Sequence, residues 1–267
     1  MADDPALVRP KAYEEPSVFR VETLLREARR QRGLPEARVP EVCLLDPDGD
    51  VVRYLRRQDD AVLSTEWACY HSELWLTTVG TREIGIVPCA VGAPYAVLVA
   101  EELHASGGRL VVSVTSAGRL VPLASPPYFL LVERAWRDEG TSLHYLPPSE
   151  WSHLRPELAR RLGGDFVGGD EPLFRGASWT TDAPFRETKA AIDAATAAGI
   201  NAVEMEAAAL YAYATATGRD VVCVAHVTNT MAVDGIDFEK GQDHGSPRIL
   251  ALVEAIADRI LGPINGS

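Results

Sequence analysis

Cysteine is scarce, with four in 267 residues. Cys43, Cys69, Cys89 and Cys223 never fall at CxxC spacing, which excludes a disulfide framework or a zinc knuckle. Three of the four stand in apolar runs and read as reduced, buried thiols. Positive charge is also short: 26 Lys and Arg against 38 Asp and Glu give a net charge of −12. That balance argues against nucleic acid or an anionic membrane as a partner, since either calls for a basic face. No apolar run approaches the ~18–20 residues a membrane span needs. The N-terminus, MADDPALVRPKAYEEP, lacks the basic-then-apolar layout of a secretion signal, so a cytoplasmic protein is expected. Walker, GxGxxG, HExxH and GxSxG motifs are missing. The six histidines form no pair at metal-ligand spacing, so neither a metal nor a cofactor is expected. His104 falls in a helical pattern and reads as a surface or packing residue.

What remains is ordinary globular material. Apolar residues make up 46% and charged residues 24%, enough for a large core. The length suits a single α/β domain over 1–267. Residues 1–17 read as an arm. Residues 18–32 read as an amphipathic helix, with Val18, Val21, Leu24, Leu25 and Ala28 at helical spacing and Gly33 and Pro35 as stops.

Three short, β-branched runs follow the same plan, each ending in a small or acidic polar loop. They are Val42–Leu45 before Asp-Pro-Asp-Gly-Asp50, Leu110–Val114 before Thr-Ser-Ala-Gly118, and Val221–Ala225 before His-Val-Thr-Asn-Thr230. Such runs suit strands buried on both faces. Helical patterns over 94–106, 201–217 and 247–261 alternate with them and predict a mixed or parallel sheet covered on both sides. Ligands gather beyond the carboxyl ends of such strands, so the three loops are the first places to look for chemistry. Gly163–Asp170 reads as a surface turn or a lid.

Glu204-Met205-Glu206 stands immediately before an alanine-rich helix, Ala207–Ala216. Acids near a helix N-terminus are favoured by the dipole at ~0.3–1 kcal/mol each, which alone explains them. Acids at i and i+2 point different ways, however, and a carboxylate is a standard acceptor for a vicinal diol.

With these pieces in order, the chain resembles the nucleoside phosphorylases of the uridine phosphorylase and hexameric purine nucleoside phosphorylase type, from about Glu41 to Leu261. Val203-Glu-Met-Glu-Ala-Ala-Ala-Leu-Tyr211 is similar to the family's ribose-binding signature. Val91–Leu103 is similar to its glycine-proline helix, and Ser113-Val-Thr-Ser-Ala-Gly118 to its phosphate-loop strand end. Thr141–Tyr145 and Trp179–Phe185 match in kind and order. The resemblance implies a three-layer α/β/α sandwich around a mixed, barrel-like sheet. It implies cleavage of an N-glycosidic bond in a nucleoside, in a homo-oligomer (dimer or hexamer) whose sites are completed by a neighbour. It places Glu206 on the ribose hydroxyls, Met205 against the sugar and Glu204 beside base and sugar. Phe185, or Pro184 next to it, would stack on the base. Ser116 would contact phosphate in a loop with Ser113, Gly118 and Arg119. Thr65 and His71 would serve a neighbouring subunit's site.

The departures matter most. The family's three phosphate-binding arginines are replaced here by Asp50, Thr65 and Ser113. Each arginine–phosphate pair at ~4 Å is worth about 4 kcal/mol at an effective dielectric of ~20. Losing three disfavours phosphorolysis unless Arg20, Arg53, Arg82 or, foremost, Arg119 substitutes. Nucleosidases of the same superfamily carry an acid where Asp50 stands, acting as general base on water. Asn229 replaces the purine enzymes' aspartate and can pair with an amide-like base edge. Arg186 and Glu187 are the nearest further candidates for reading the base. The sequence therefore predicts a nucleoside hydrolase with Asp50 and Asn229 in catalytic roles. A phosphorylase with a relocated anion site, and a binding protein without chemistry, are the alternatives.

Overall fold

The computed structural model describes residues 5–163, 166, 173–231 and 238–263. A short 3₁₀ turn at Ala6–Val8 precedes helix α1 (Val21–Arg32), three residues shorter at its start than the periodicity predicts. Val18 and Phe19 lie before the helix and are exposed, so they contribute nothing to its buried stripe. Then follow β1 (Val42–Asp46), α2 (Asp50–Arg57), β2 (Val62–Leu63), β3 (Trp75–Val79), β4 (Arg82–Pro88) and α3 (Ala93–Ala105). The second half contains β5 (Leu110–Arg119), β6 (Tyr128–Asp138), α4 (Ser142–Tyr145), β7 (Trp151–His153), α5 (Pro156–Arg161) and β8 (Leu173–Thr181). It closes with α6 (Lys189–Ala197), β9 (Ala202–Glu204), α7 (Ala207–Thr217), β10 (Asp220–Asn229) and α8 (Ser246–Leu261).

The three apolar runs become β1, β5 and β10, side by side and parallel: β1 pairs with β5, and β5 with β10. All five residues of β1 are buried, as a strand covered on both faces requires. β10 also pairs antiparallel with β6, β6 runs parallel to β8, β8 to β9, and β9 returns antiparallel to β5. These five strands close on themselves, giving the mixed, barrel-like sheet of the expected three-layer α/β/α architecture. Tyr211 of α7 clasps the ring: its buried hydroxyl donates to Val132 O at 2.5 Å and accepts from Cys223 N at 3.1 Å. β4, β3 and β2 extend the sheet beyond β1. α2 packs with α8, α3 packs with α1 and α7, and α4 packs with α7.

The helical pattern at 201–217 divides in two. Ala202–Glu204 is a short strand, and the helix begins at Ala207. Pairing with β8 and β5 overrides helix propensity there. Cys43, Cys69 and Cys223 are buried and Cys89 is exposed; all four are free thiols. His104 is a packing residue, buried with Nδ1 2.8 Å from the Tyr213 hydroxyl. Most of Gly163–Asp170 lies outside the described residues. Among the described residues no helix is long and apolar enough to cross a membrane.

Candidate active site

Two strand-to-helix junctions meet where β5 and β10 end. The first is Asp46–Asp50, between β1 and α2. Its turn needs a left-handed residue, and Gly49 supplies it (φ +69°). Asp46 lies beneath, with Oδ2 accepting from Val52 N at 3.1 Å. Burial pushes its carboxyl up to about 6. Asp48 accepts a short hydrogen bond from the Ser116 hydroxyl and an ion pair from Lys240 at 3.1 Å. Asp50 is held on both sides, by Arg53 Nη2 on Oδ1 and Lys240 Nζ on Oδ2, each at 2.6 Å. Burial would raise the Asp50 carboxyl, but these two cations outweigh it and hold it below its ordinary value.

The second junction is Glu204–Glu206, between β9 and α7. Glu204 is buried and fully partnered. Oε1 accepts from the Ser178 and Thr180 hydroxyls at 2.9 and 2.5 Å. Oε2 accepts from the backbone N–H of Glu206 and Ala207, both at 2.7 Å. Its four acceptor positions are used in capping α7 and tying it to β8. Glu206 accepts from Gly92 N at 2.7 Å and Met205 N at 3.3 Å. Among the described residues no cation partners it. Burial, with Glu204 adding like charge, pushes its carboxyl up to about 7.

Between the junctions lies a cleft of about 470 Å³. Asp48, Ser116, Gly118, Met205, Asn229 and Lys240 line it, with Phe185 and Glu187 on another wall. Glycine at 118 is needed for close approach: a Cβ there would collide with the Met231 sulfur and sit 3.2 Å from Asn229 Oδ1. Asn229 itself is committed to the turn. Its Oδ1 accepts from Met231 N at 3.0 Å and its Nδ2 donates to Ala117 O at 3.3 Å. Phe185 is fully exposed and Phe238 65% exposed, so both offer an open aromatic face to the cleft. Burial raises the Glu187 carboxyl.

The remaining expected residues fall elsewhere. Arg119 donates to Ala124 O at 3.4 Å and does not line the cleft. Arg82 pairs with Asp258, and Arg186 is exposed outside the cleft. Ser113 is buried in β5 with a hydroxyl that finds no partner among the described residues. Thr65 and His71 are exposed in the β2–β3 connection, off this cleft. Two residues that the sequence did not single out are central. Lys240 comes from a segment with no secondary structure, 190 positions from the Asp50 it pairs with. Asp48 had only its place in the turn-like DPDGD string to mark it.

A family model described as the Phosphorylase superfamily matches residues 41–258. The chain belongs to that superfamily. The uridine phosphorylase of Vibrio fischeri ES114 is similar in structure at 18% sequence identity, with a TM-score of 0.66, over 84% of this chain and 94% of that one. That likeness is one of fold. Superfamily membership carries the coarse chemistry: the chain is an enzyme that breaks the glycosidic bond of a nucleoside. The cleft stands at the ends of β5, β9 and β10, the part of an open α/β sheet where ligands commonly gather.

Proposed function

We propose that this enzyme transfers the ribosyl group to water rather than to phosphate. One observation carries the reading: the Ser116 hydroxyl, expected to touch phosphate, donates instead to the carboxylate of Asp48. An anion of the protein's own occupies that side of the cleft. Lys240 is spent on Asp48 and Asp50, and Arg53 on Asp50. Two carboxylates and two cations nearly cancel. A phosphate dianion placed there therefore gains little net attraction, where each unpaired arginine would supply about 4 kcal/mol at ~4 Å and an effective dielectric of ~20.

In this reading Glu206 accepts the ribose 2′- and 3′-hydroxyls and Met205 packs on the sugar. Asp48, which lines the cleft, takes a proton from water as the water oxygen bonds to the anomeric carbon. The C1′–N bond breaks, the base leaves with its electron pair, and the proton taken up by Asp48 passes to the base through solvent. Asp50, the expected base, is screened from the cleft by its two cations and serves to hold Lys240. Phe185 stacks on the base, and Glu187 reads its edge; Asn229, held in the turn, shapes the cleft behind it. Thr65 and His71, exposed and off their own cleft, are assigned to a neighbouring copy's site in a homo-oligomer.

The test is base release from a panel of nucleosides, with and without inorganic phosphate, with the sugar product identified. Free ribose at a rate independent of phosphate is expected. Release that requires phosphate and yields ribose 1-phosphate would overturn the assignment and return the cleft to phosphorolysis. Thermal stabilisation by a nucleoside without release would leave a binding protein.

A further inference from the structure

A second cavity stands apart from the cleft and shares no lining residue with it. It measures about 540 Å³, within the range of small-molecule sites. The segment before residue 41, outside the superfamily match, builds one wall with Leu7, Phe19, Val21 and Leu24. Helix α3 builds the other with Val97 and Leu98. Most of this surface is apolar. It also carries three carboxylates, Glu101, Glu102 and Asp182, and no lysine or arginine.

Those carboxylates are only partly satisfied. Glu101 accepts from the Tyr145 hydroxyl at 2.7 Å and Asp182 from Gly140 N at 2.9 Å. Glu102 is 2% exposed, with the Cys69 thiol beside it. One of its oxygens is sealed from water and has no hydrogen-bond partner among the described residues. A buried carboxylate without a cation partner costs free energy, and its charge, with those of Glu101 and Asp182, favours a cation placed in the cavity that the three line. An ammonium group is such a cation, and the apolar walls would take the body attached to it.

We propose that this cavity binds a primary amine carrying an apolar body, with the ammonium at Glu102 and Glu101 and the body between Phe19, Leu24 and Leu98. The segment before residue 41 would then give this chain a ligand site that the matched superfamily segment lacks. Tryptamine is a suitable probe, with tryptophol as its neutral counterpart and indole-3-acetate as its anionic one, each titrated calorimetrically against the full chain. Tryptamine is expected to bind at least about tenfold more tightly than tryptophol, and indole-3-acetate more weakly still. Glu102→Gln should weaken tryptamine about tenfold while leaving tryptophol unchanged. Leu98→Trp, at a 38% exposed position on the rim, should abolish binding by filling the cavity; it serves if Glu102→Gln fails to fold. Base release should be unchanged in both variants. Equal affinity for amine and alcohol, no binding at millimolar tryptamine, or binding that survives Leu98→Trp would overturn the proposal.

Discussion

The two junctions facing the cleft are built alike and neutralised differently. Each ends a strand and opens a helix, and each spaces its acids two residues apart. In each, one acid is spent on the backbone: Asp46 accepts from Val52 N, and Glu204 from the N–H groups of Glu206 and Ala207. In each, another acid is the one assigned to the substrate: Asp48, which lines the cleft, and Glu206, which is buried and does not. The difference lies in the partners. The Asp46–Asp50 junction is balanced by Lys240 and Arg53, and Asp50 is held low. The Glu204–Glu206 junction is balanced only by amides and hydroxyls, and Glu206 rises to about 7. Full charges fix the ionisation of Asp50 across the working range; dipoles leave that of Glu206 open near neutrality, as burial does that of Asp46 beneath the first junction. One junction is therefore suited to holding an ionised base, and the other to gripping a diol in a way that pH can loosen.

The largest expected effect breaks the sugar-gripping side. A carboxylate accepting two hydroxyls makes two charge-assisted hydrogen bonds of about 1.5–3 kcal/mol each. Glu206→Ala should therefore lower kcat/KM by about 10²–10⁴. The measurement is steady-state base release on protein shown by circular dichroism to be folded. A loss below tenfold would remove Glu206 from the ribose.

Next comes the division of labour within the first junction. Asp48→Asn should lower kcat by about 10² or more, the usual worth of a positioned general base. Asp50→Asn should cost less, because it frees Lys240 rather than removing the base. Comparing the two variants on one substrate decides the matter: a larger loss at Asp50 would move the base back to that residue.

Glu204 tests the structural half of the comparison. Glu204→Gln keeps the size but puts donors against donors at the start of α7. The expected cost is about 2–4 kcal/mol of stability. For a chain this long that is a melting-temperature drop of roughly 5–15 °C. Below the new transition kcat should change little, which separates this acid from Glu206 two residues on. Equal loss of activity in the two variants would end the distinction drawn here.

How far such roles can be seen in a sequence depends on how local their cause is. The strands β1, β5 and β10 are legible because an apolar run bounded by a polar loop is a local pattern. The Glu-Met-Glu segment is legible for the same reason, yet its two acids look equivalent until Ser178, Thr180 and Gly92 arrive from other elements. Lys240 is invisible beforehand: its partners lie 190 and more positions away, and nothing in its own neighbourhood marks it as an ion-pair residue. The same distance hides the choice between Asp48 and Asp50, since it is Lys240 and Ser116 that distinguish them. Arg119 shows the converse. Its place after the Ser-Ala-Gly turn suggested an anion ligand, but β5 continues through it and points it to Ala124.

The smallest effect sharpens the comparison by pH. A Glu206 carboxyl raised to about 7 in the native state keeps a proton that the unfolded chain gives up near 4.5. Between those values the native state binds more protons, so its stability falls as pH rises through the window. The full penalty is present above about 7 and vanishes below about 4.5. His104 and His226, pushed down to about 4 by burial, slope the other way over the lower part of this range. The contribution of Glu206 must therefore be read as a difference between wild type and Glu206→Gln. That difference should change by about 1 kcal/mol per pH unit, in favour of the variant as pH rises from 5 to 7. Substrate affinity should run the opposite way in the wild type, because the diol donates to the ionised carboxylate. KM should therefore climb below pH 7 while kcat, governed by the cation-held junction, stays nearly level. A KM that is flat from pH 5 to 8 would mean that Glu206 is already ionised throughout, and the contrast between the two junctions would be one of position alone.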